Sequence, residues 1–86
     1  MPIELTERFV QQYGKLAASV QKKVDKSIHL LDSDFCHPGL KTHPVQSAPG
    51  IFEASVDSRY RMTYERRGDV LLLRNVDSHD ECLRNP

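Results

Sequence analysis

The chain has 86 residues, 38% of them hydrophobic, and its 12 basic and 12 acidic side chains leave a formal net charge of zero. A chain this short buries only about 60–65% of its unfolded surface, so one core and a single domain over 1–86 are expected, and balanced charge excludes the whole-molecule basic field of a non-specific nucleic-acid binder. No run approaches the roughly 18 apolar residues of a membrane span, MPIELTERF lacks the basic-then-apolar plan of a secretion signal, and Cys36 and Cys82 read as reduced thiols of a cytoplasmic protein with no membrane partner.

The stretch PIEL is a short candidate strand, and Thr6 follows it as a helix N-cap with Leu5 and Val10 placed as a hydrophobic staple. Phe9, Tyr13, Leu16, Val20, Val24, Ile28 and Leu31 then recur at spacings of three and four, which makes one apolar helical stripe. That periodicity by itself permits a single helix of about 26 residues, longer than the usual range of roughly 8–20. Gly14 and Ala17-Ala18-Ser19 are the only candidate breaks for a helical hairpin.

Asp32-Ser33-Asp34 ends the helical region, and His37-Pro38-Gly39-Leu40 has the proline and glycine of a type II turn. A strand over 40–46 would be interrupted or lie at a sheet edge, because Pro44 has no N–H for a ladder. The period then switches to two: Phe52, Ala54 and Val56 face one way, with Glu53, Ser55 and Asp57 the other. After a turn at Asp57-Ser58, Tyr60, Met62 and Tyr64 alternate with Arg59, Arg61, Thr63 and Glu65. A tight turn at Arg66-Arg67-Gly68-Asp69 leads into VLLLRNV, apolar on both faces and therefore central. Ser78 and Glu81 have capping-box spacing for a last helical turn.

This order is that of an α+β domain: an N-terminal strand, helices, then an antiparallel meander of three or four strands. Helices grouped before the meander pack on one sheet face and leave the other open. On that open face the pleat gathers Arg59, Arg61, Thr63, Glu65, Glu53 and Ser55. The segment HPGLKTHPVQ brings Lys41 and His43, two apart, to its edge, and His79 stands just beyond the central strand. All five lysines lie at or before Lys41 and the C-terminal half uses arginine alone, a bias toward the planar fork that grips phosphate in two contacts.

Such a set suits RNA cleavage by the ribose hydroxyl, which needs a base, an acid and cations around the phosphorane. His79 or His43 would move protons, since an imidazole titrates near neutrality. Arg61, with Arg59 or Lys41, would hold the phosphate, and Glu53 would face the substrate beside them. His79-x-x-Cys82 and Cys36-His37 contain ligand residue types without the paired spacing of a zinc module, so neither a metal nor another cofactor is expected.

The stretches FCHPGLKTHPV and IFEASVDSRYRMTYERRGDVLLLRNVDSHDE resemble the RelE/ParE superfamily of bacterial toxin–antitoxin toxins. The strongest pieces are HPGLK, the YR-x-x-Y of Tyr60, Arg61 and Tyr64, and the strand-then-histidine ending LLLRNVDSHDE. The resemblance implies a strand, an antiparallel helical pair broken near Leu16 to Ala18, and the meander. It implies either a ribosome-dependent messenger-RNA endonuclease or, in the ParE branch, a DNA gyrase inhibitor without nuclease chemistry, each silenced by a cognate antitoxin. Arg61 matches the superfamily's sheet arginine, His79 its C-terminal histidine, and Lys41 a basic residue before the meander. The chain departs from the pattern at Ser55, where many members carry an arginine, and in its neutral charge.

Overall fold

A serine or threonine hydroxyl at an N-cap satisfies a backbone N–H that the first helical turn leaves orphaned, and Thr6 does so, accepting from Phe9 N at 3.1 Å. It separates strand β1 (Ile3–Leu5) from helix α1 (Glu7–Gly14). The computed structural model describes residues 2–34 and 36–86; Met1 and the Phe35 of FCHPGLKTHPV lie outside the described residues.

The apolar stripe does not run as one helix. It breaks at 15–17, between the two candidate breakpoints, and resumes as α2 (Ala18–Ser33). A straight helix of about 26 residues would span about 39 Å, more than the 32 Å longest dimension of the molecule. Folding back lets both segments bury their stripe on the same sheet face. The hairpin is tied by Gln21 Nε2, which donates to the Tyr13 carbonyl at 2.9 Å, and by Tyr13 Oη, which donates to Asp25 at 2.7 Å.

After α2 the chain makes a 3₁₀ turn over Pro38–Leu40 rather than the expected type II turn. His37 explains the difference. Its Nδ1 accepts from Gly39 N at 3.0 Å, and its carbonyl accepts from Leu40 N at 3.0 Å, which tightens the backbone into consecutive i→i+3 bonds. The strand expected over 40–46 shrinks to β2 (His43–Pro44). It lies at the sheet edge, where proline's missing donor costs no ladder bond.

β3 (Ile51–Ser55), β4 (Tyr60–Arg67) and β5 (Val70–Ser78) form the antiparallel meander, and the sheet order is β1-β5-β4-β3-β2. The sheet therefore has five strands and is mixed, where an antiparallel sheet of three or four was expected. β1 pairs parallel with β5, Ile3 opposite Leu71 and Leu5 opposite Leu73. A parallel pair needs a long connection, which the helices and meander together supply. β5 is flanked on both sides, as its two apolar faces require.

The core lies between the sheet and the helical hairpin. Phe9, Val24 and Leu31 of the helices and Leu40 of the 3₁₀ turn meet Ala54, Met62, Tyr64, Leu71, Leu73 and Val76 of the sheet. Phe52 stacks on Tyr64 with ring centroids 5.6 Å apart. At Thr63/Tyr64 the register against β5 shifts, from Thr63 opposite Asn75 to Tyr64 opposite Leu73, so Arg74 is the extra, bulged residue.

The sheet face away from the hairpin was expected to be open. Helix α3 (His79–Arg84) and the residues after it instead fold back over part of it. The reason is polar: Thr63 and Asn75 are fully buried there and need partners. Asn75 Nδ2 donates to the carbonyls of Cys82 and Asn85 at 3.0 and 3.2 Å, and Thr63 Oγ1 to that of Pro86 at 2.9 Å. Ser78 occupies the N-cap position of α3, but its side chain makes no capping hydrogen bond, so the capping box is not formed.

Candidate active site

Strand register and the chain just beyond β5 bring four candidate side chains together. His43 of β2 pairs directly opposite Glu53 of β3. Arg61 of β4 pairs opposite Ser55, two residues along from Glu53 and therefore on the same face. Asp77 of β5 pairs opposite Arg61, and His79 follows two residues later, its backbone N–H donating to the Arg59 carbonyl at 2.9 Å. Glu53 Oε1 thus has Arg61 Nε at 3.5 Å, His43 Nε2 at 3.6 Å and His79 Nδ1 at 3.8 Å.

Glu53 was expected to face the substrate as an exposed strand residue. It is 1% exposed, and neither carboxylate oxygen has a hydrogen bond among the described residues. The C-terminal segment contributes, because α3 packs on the neighbouring β4 and β5 and brings Cys82 within reach of the Glu53 charge. A buried carboxylate is retained only beside compensating charge, and the guanidinium and two imidazoles that surround it are the groups able to provide that charge. Both imidazoles are about half exposed, at 58% for His43 and 51% for His79, so each can meet a ligand on its outer side. His43 Nδ1 lies 3.0 Å from the Lys41 carbonyl. A carbonyl only accepts, so Nδ1 carries a hydrogen and Nε2 is the nitrogen presented toward Glu53.

Arg61, unlike Glu53, is anchored by hydrogen bonds. Its Nη1 donates to the carbonyls of Asp57 and of Tyr60, the latter at 3.0 Å, while Nη2 has no partner among the described residues. Asp57 builds the turn that offers these carbonyls: Oδ1 accepts from Arg59 N and Tyr60 N, each at 2.8 Å, and Oδ2 meets Lys23 Nζ at 3.3 Å. Burial pushes the Asp57 carboxyl up, but the Tyr60 and Arg59 amides and the Lys23 ammonium outweigh it and hold the group below its ordinary value. Asp57 escaped the sequence reading as a positioning residue; its signal was the aspartate followed two and three residues on by the start of a strand, the pattern of an Asx turn.

Beneath the cluster lies Cys82, fully buried, its Sγ 3.5 Å from the Arg61 carbonyl. Burial first, and the Glu53 charge second, push its thiol up to about 12. It is a space-filling, protonated group. A cleft of about 430 Å³ opens beside His43, lined by Pro44, Val45, Gln46, Ser47 and Leu83.

Two expected site residues lie apart from the cluster. Lys41 and His43 do not share a face, because Lys41 adopts a left-handed backbone (φ 50°) that breaks the strand alternation. Its side chain lines a cavity with Phe52, Tyr64 and Leu71 on the helix side of the sheet. Arg59 is exposed at the tip of the β3–β4 turn and joins the site through its backbone. Ser55 faces the cluster's side, and its Oγ donates to the Asp57 carbonyl at 3.4 Å. Among the described residues no group of three or more His, Cys, Asp or Glu side chains is arranged to hold a metal ion, and no helix is long and apolar enough to cross a membrane.

No protein-family model and no curated protein sequence matches the chain. Solved structures do. YafQ from E. coli strain BL21(DE3) superposes with a TM-score of 0.74 at 22% identity, over 92% of this chain and 93% of that one. A YoeB/ParE toxin from Agrobacterium tumefaciens gives 0.77 at 16% identity over 92% and 99%. RelE in the RelB–RelE antitoxin–toxin complex from Methanococcus jannaschii gives 0.73 at 15% identity over 90% and 91%. The fold that the resemblance implied is thus borne out: this chain has the fold of those toxins over nearly its whole length.

Proposed function

We propose that the protein is the toxin of a bacterial type II toxin–antitoxin pair and acts in the cytoplasm as a ribosome-dependent messenger-RNA endonuclease. The observation that carries this reading is the convergence of Arg61, His43 and His79 on the buried Glu53. One imidazole takes the proton of the ribose 2′-hydroxyl as its oxygen bonds to phosphorus. The P–O5′ bond breaks, and the other imidazole gives its proton to the departing oxygen, leaving a 2′,3′-cyclic phosphate. We assign these two roles to His79 and His43. Arg61, through Nη2, stabilises the phosphorane charge, and Arg59, which joins the site only through its backbone, is left outside the catalytic set. Glu53 is a positioning residue that orients both rings, and Lys41 is left outside the catalytic set because it lines a different cavity. Proton transfer between imidazoles and oxygens requires no cofactor.

Support for an antitoxin partner comes from relatives of the same fold solved with theirs, among them DinJ–YafQ and RelB–RelE. The test is induced expression with primer-extension mapping of messenger RNA. Cleavage within translated messages is expected, and His79→Gln, on a half-exposed side chain that does not hold the fold together, should abolish it. Cleavage unchanged in both His79→Gln and His43→Gln overturns the site.

Zero net charge and Ser55 in place of the superfamily arginine favour a second reading, a binding module that inhibits DNA gyrase or engages only its antitoxin. Growth arrest with intact messenger RNA and an induced DNA-damage response marks the first case, and no arrest at all marks the second.

A further inference from the structure

The segment 36–42 carries more chemistry than the active site uses. His43 turns to Glu53, whereas His37 and Lys41 turn to the opposite face of the sheet, where they rim a cavity of about 390 Å³. Its floor is apolar, made of Phe52, Tyr64 and Leu71, with Pro38 as one wall. Its rim carries the cations Lys41 and Arg66 beside the imidazole of His37, with no carboxylate among the described lining residues. On a chain of zero net charge this is a local concentration of one sign.

We infer that this cavity docks a short acidic peptide segment of a protein partner, one apolar side chain of which enters the cavity while flanking carboxylates meet Lys41, Arg66 and His37. The volume lies in the range of pockets that enclose a ligand, about 300–1,000 Å³. The floor is mainly apolar side-chain surface, and what it accepts is an aliphatic or aromatic body. Cations confined to the rim then select the charge of what surrounds that body. The Phe52–Tyr64 stack keeps the floor rigid, so the site is formed before its occupant arrives. The inference stands apart from the nuclease reading, since the two sites lie on opposite faces of the sheet.

The experiment is fluorescence anisotropy with a labelled peptide carrying one phenylalanine between glutamates, titrated with the full chain. Replacing the phenylalanine by alanine should weaken binding roughly tenfold or more. The double charge reversal Lys41→Glu/Arg66→Glu, at two exposed positions that the fold tolerates, should do the same. His79→Gln should leave peptide affinity unchanged, and amide NMR shifts on adding unlabelled peptide should fall at Phe52, Tyr64 and Leu71. Absence of binding, equal affinity for the alanine peptide, full affinity in the charge-reversed chain, or shifts centred on His43 and His79 each overturn the proposal. Loss of polyuridylate binding, rather than peptide binding, in the charge-reversed chain would also overturn it and reassign the cavity to nucleic acid.

Discussion

Removing Arg61 should destabilise the protein strongly, and removing the Glu53 charge as well should restore most of the loss. At 3.5 Å an effective dielectric constant of 20 makes the Arg61–Glu53 attraction about 5 kcal/mol. Against it stands a desolvation penalty for the buried carboxylate of several kcal/mol. The two imidazoles add no more than ~1 kcal/mol each, because both are half exposed and screened. Arg61→Ala therefore strands a buried charge and should cost about 3–5 kcal/mol. Glu53→Gln removes attraction and penalty together and should stay within about 2 kcal/mol of the native protein. The double variant Arg61→Ala/Glu53→Gln should lose only about 1–2 kcal/mol, the share of the two hydrogen bonds to the Asp57 and Tyr60 carbonyls. Urea unfolding measures this directly, as shifts in midpoint at constant slope. If the double variant is as unstable as Arg61→Ala alone, Glu53 is not a charged group held by Arg61, and its assignment as the centre of the site fails.

The thiols should differ sharply in native protein: Cys36 is exposed, whereas Cys82 is buried with its thiol near 12. The upward shift from 9.0 alone lowers the Cys82 thiolate population about a thousandfold, so one equivalent should react with Ellman's reagent at once and the second only after denaturant is added. Prompt labelling of both would mean that α3 does not stay docked. Leu40→Ala, at a fully buried side chain of the 3₁₀ turn, should cost about 2–5 kcal/mol in the same urea assay. Asp57 is held below 3.8 by the Tyr60 and Arg59 amides and Lys23, and Glu65 below 4.5 by Arg67 and Arg74, each against the upward pull of burial. A depressed carboxyl contributes stability that is complete above its unfolded value and disappears as pH falls through its lower folded value. Thermal stability should therefore decline below about pH 4.5, and Asp57→Asn or Glu65→Gln should flatten that decline.

The elements were legible where one physical signal acts locally. Thr6 announces its helix through a hydroxyl, the 3.6-residue stripe from Phe9 to Leu31 marks the helical face, and the alternation from Phe52 to Tyr64 marks strands whose apolar side meets it. The stripe could not show its own break, because periodicity is the same in one helix or two, and the size of the sheet decides between them. The 3₁₀ turn was hidden for a different reason: proline and glycine satisfy several turn types, and a hydrogen bond from Gly39 to the His37 ring selects one.

The site was legible in part. His43, Arg61 and His79 stood out by residue type, and strand register does bring them onto one face. Lys41 was misplaced because a single left-handed residue reverses the direction of its side chain, which no alternation pattern reveals. Glu53 looked like a solvent-facing strand residue, since nothing in IFEAS says that a helix more than twenty residues later will return to pack on the neighbouring strands.

From the order of residues alone came the α+β class, the face each strand residue takes and the chemical types available for catalysis, because these depend on neighbours a few positions away. Only the folded chain settled that Glu53 is buried, that two histidines and an arginine share one of its oxygens, and that Lys41 and His37 guard a second cavity. Those outcomes depend on contacts between segments far apart in the chain, and above all on where the last eight residues come to rest.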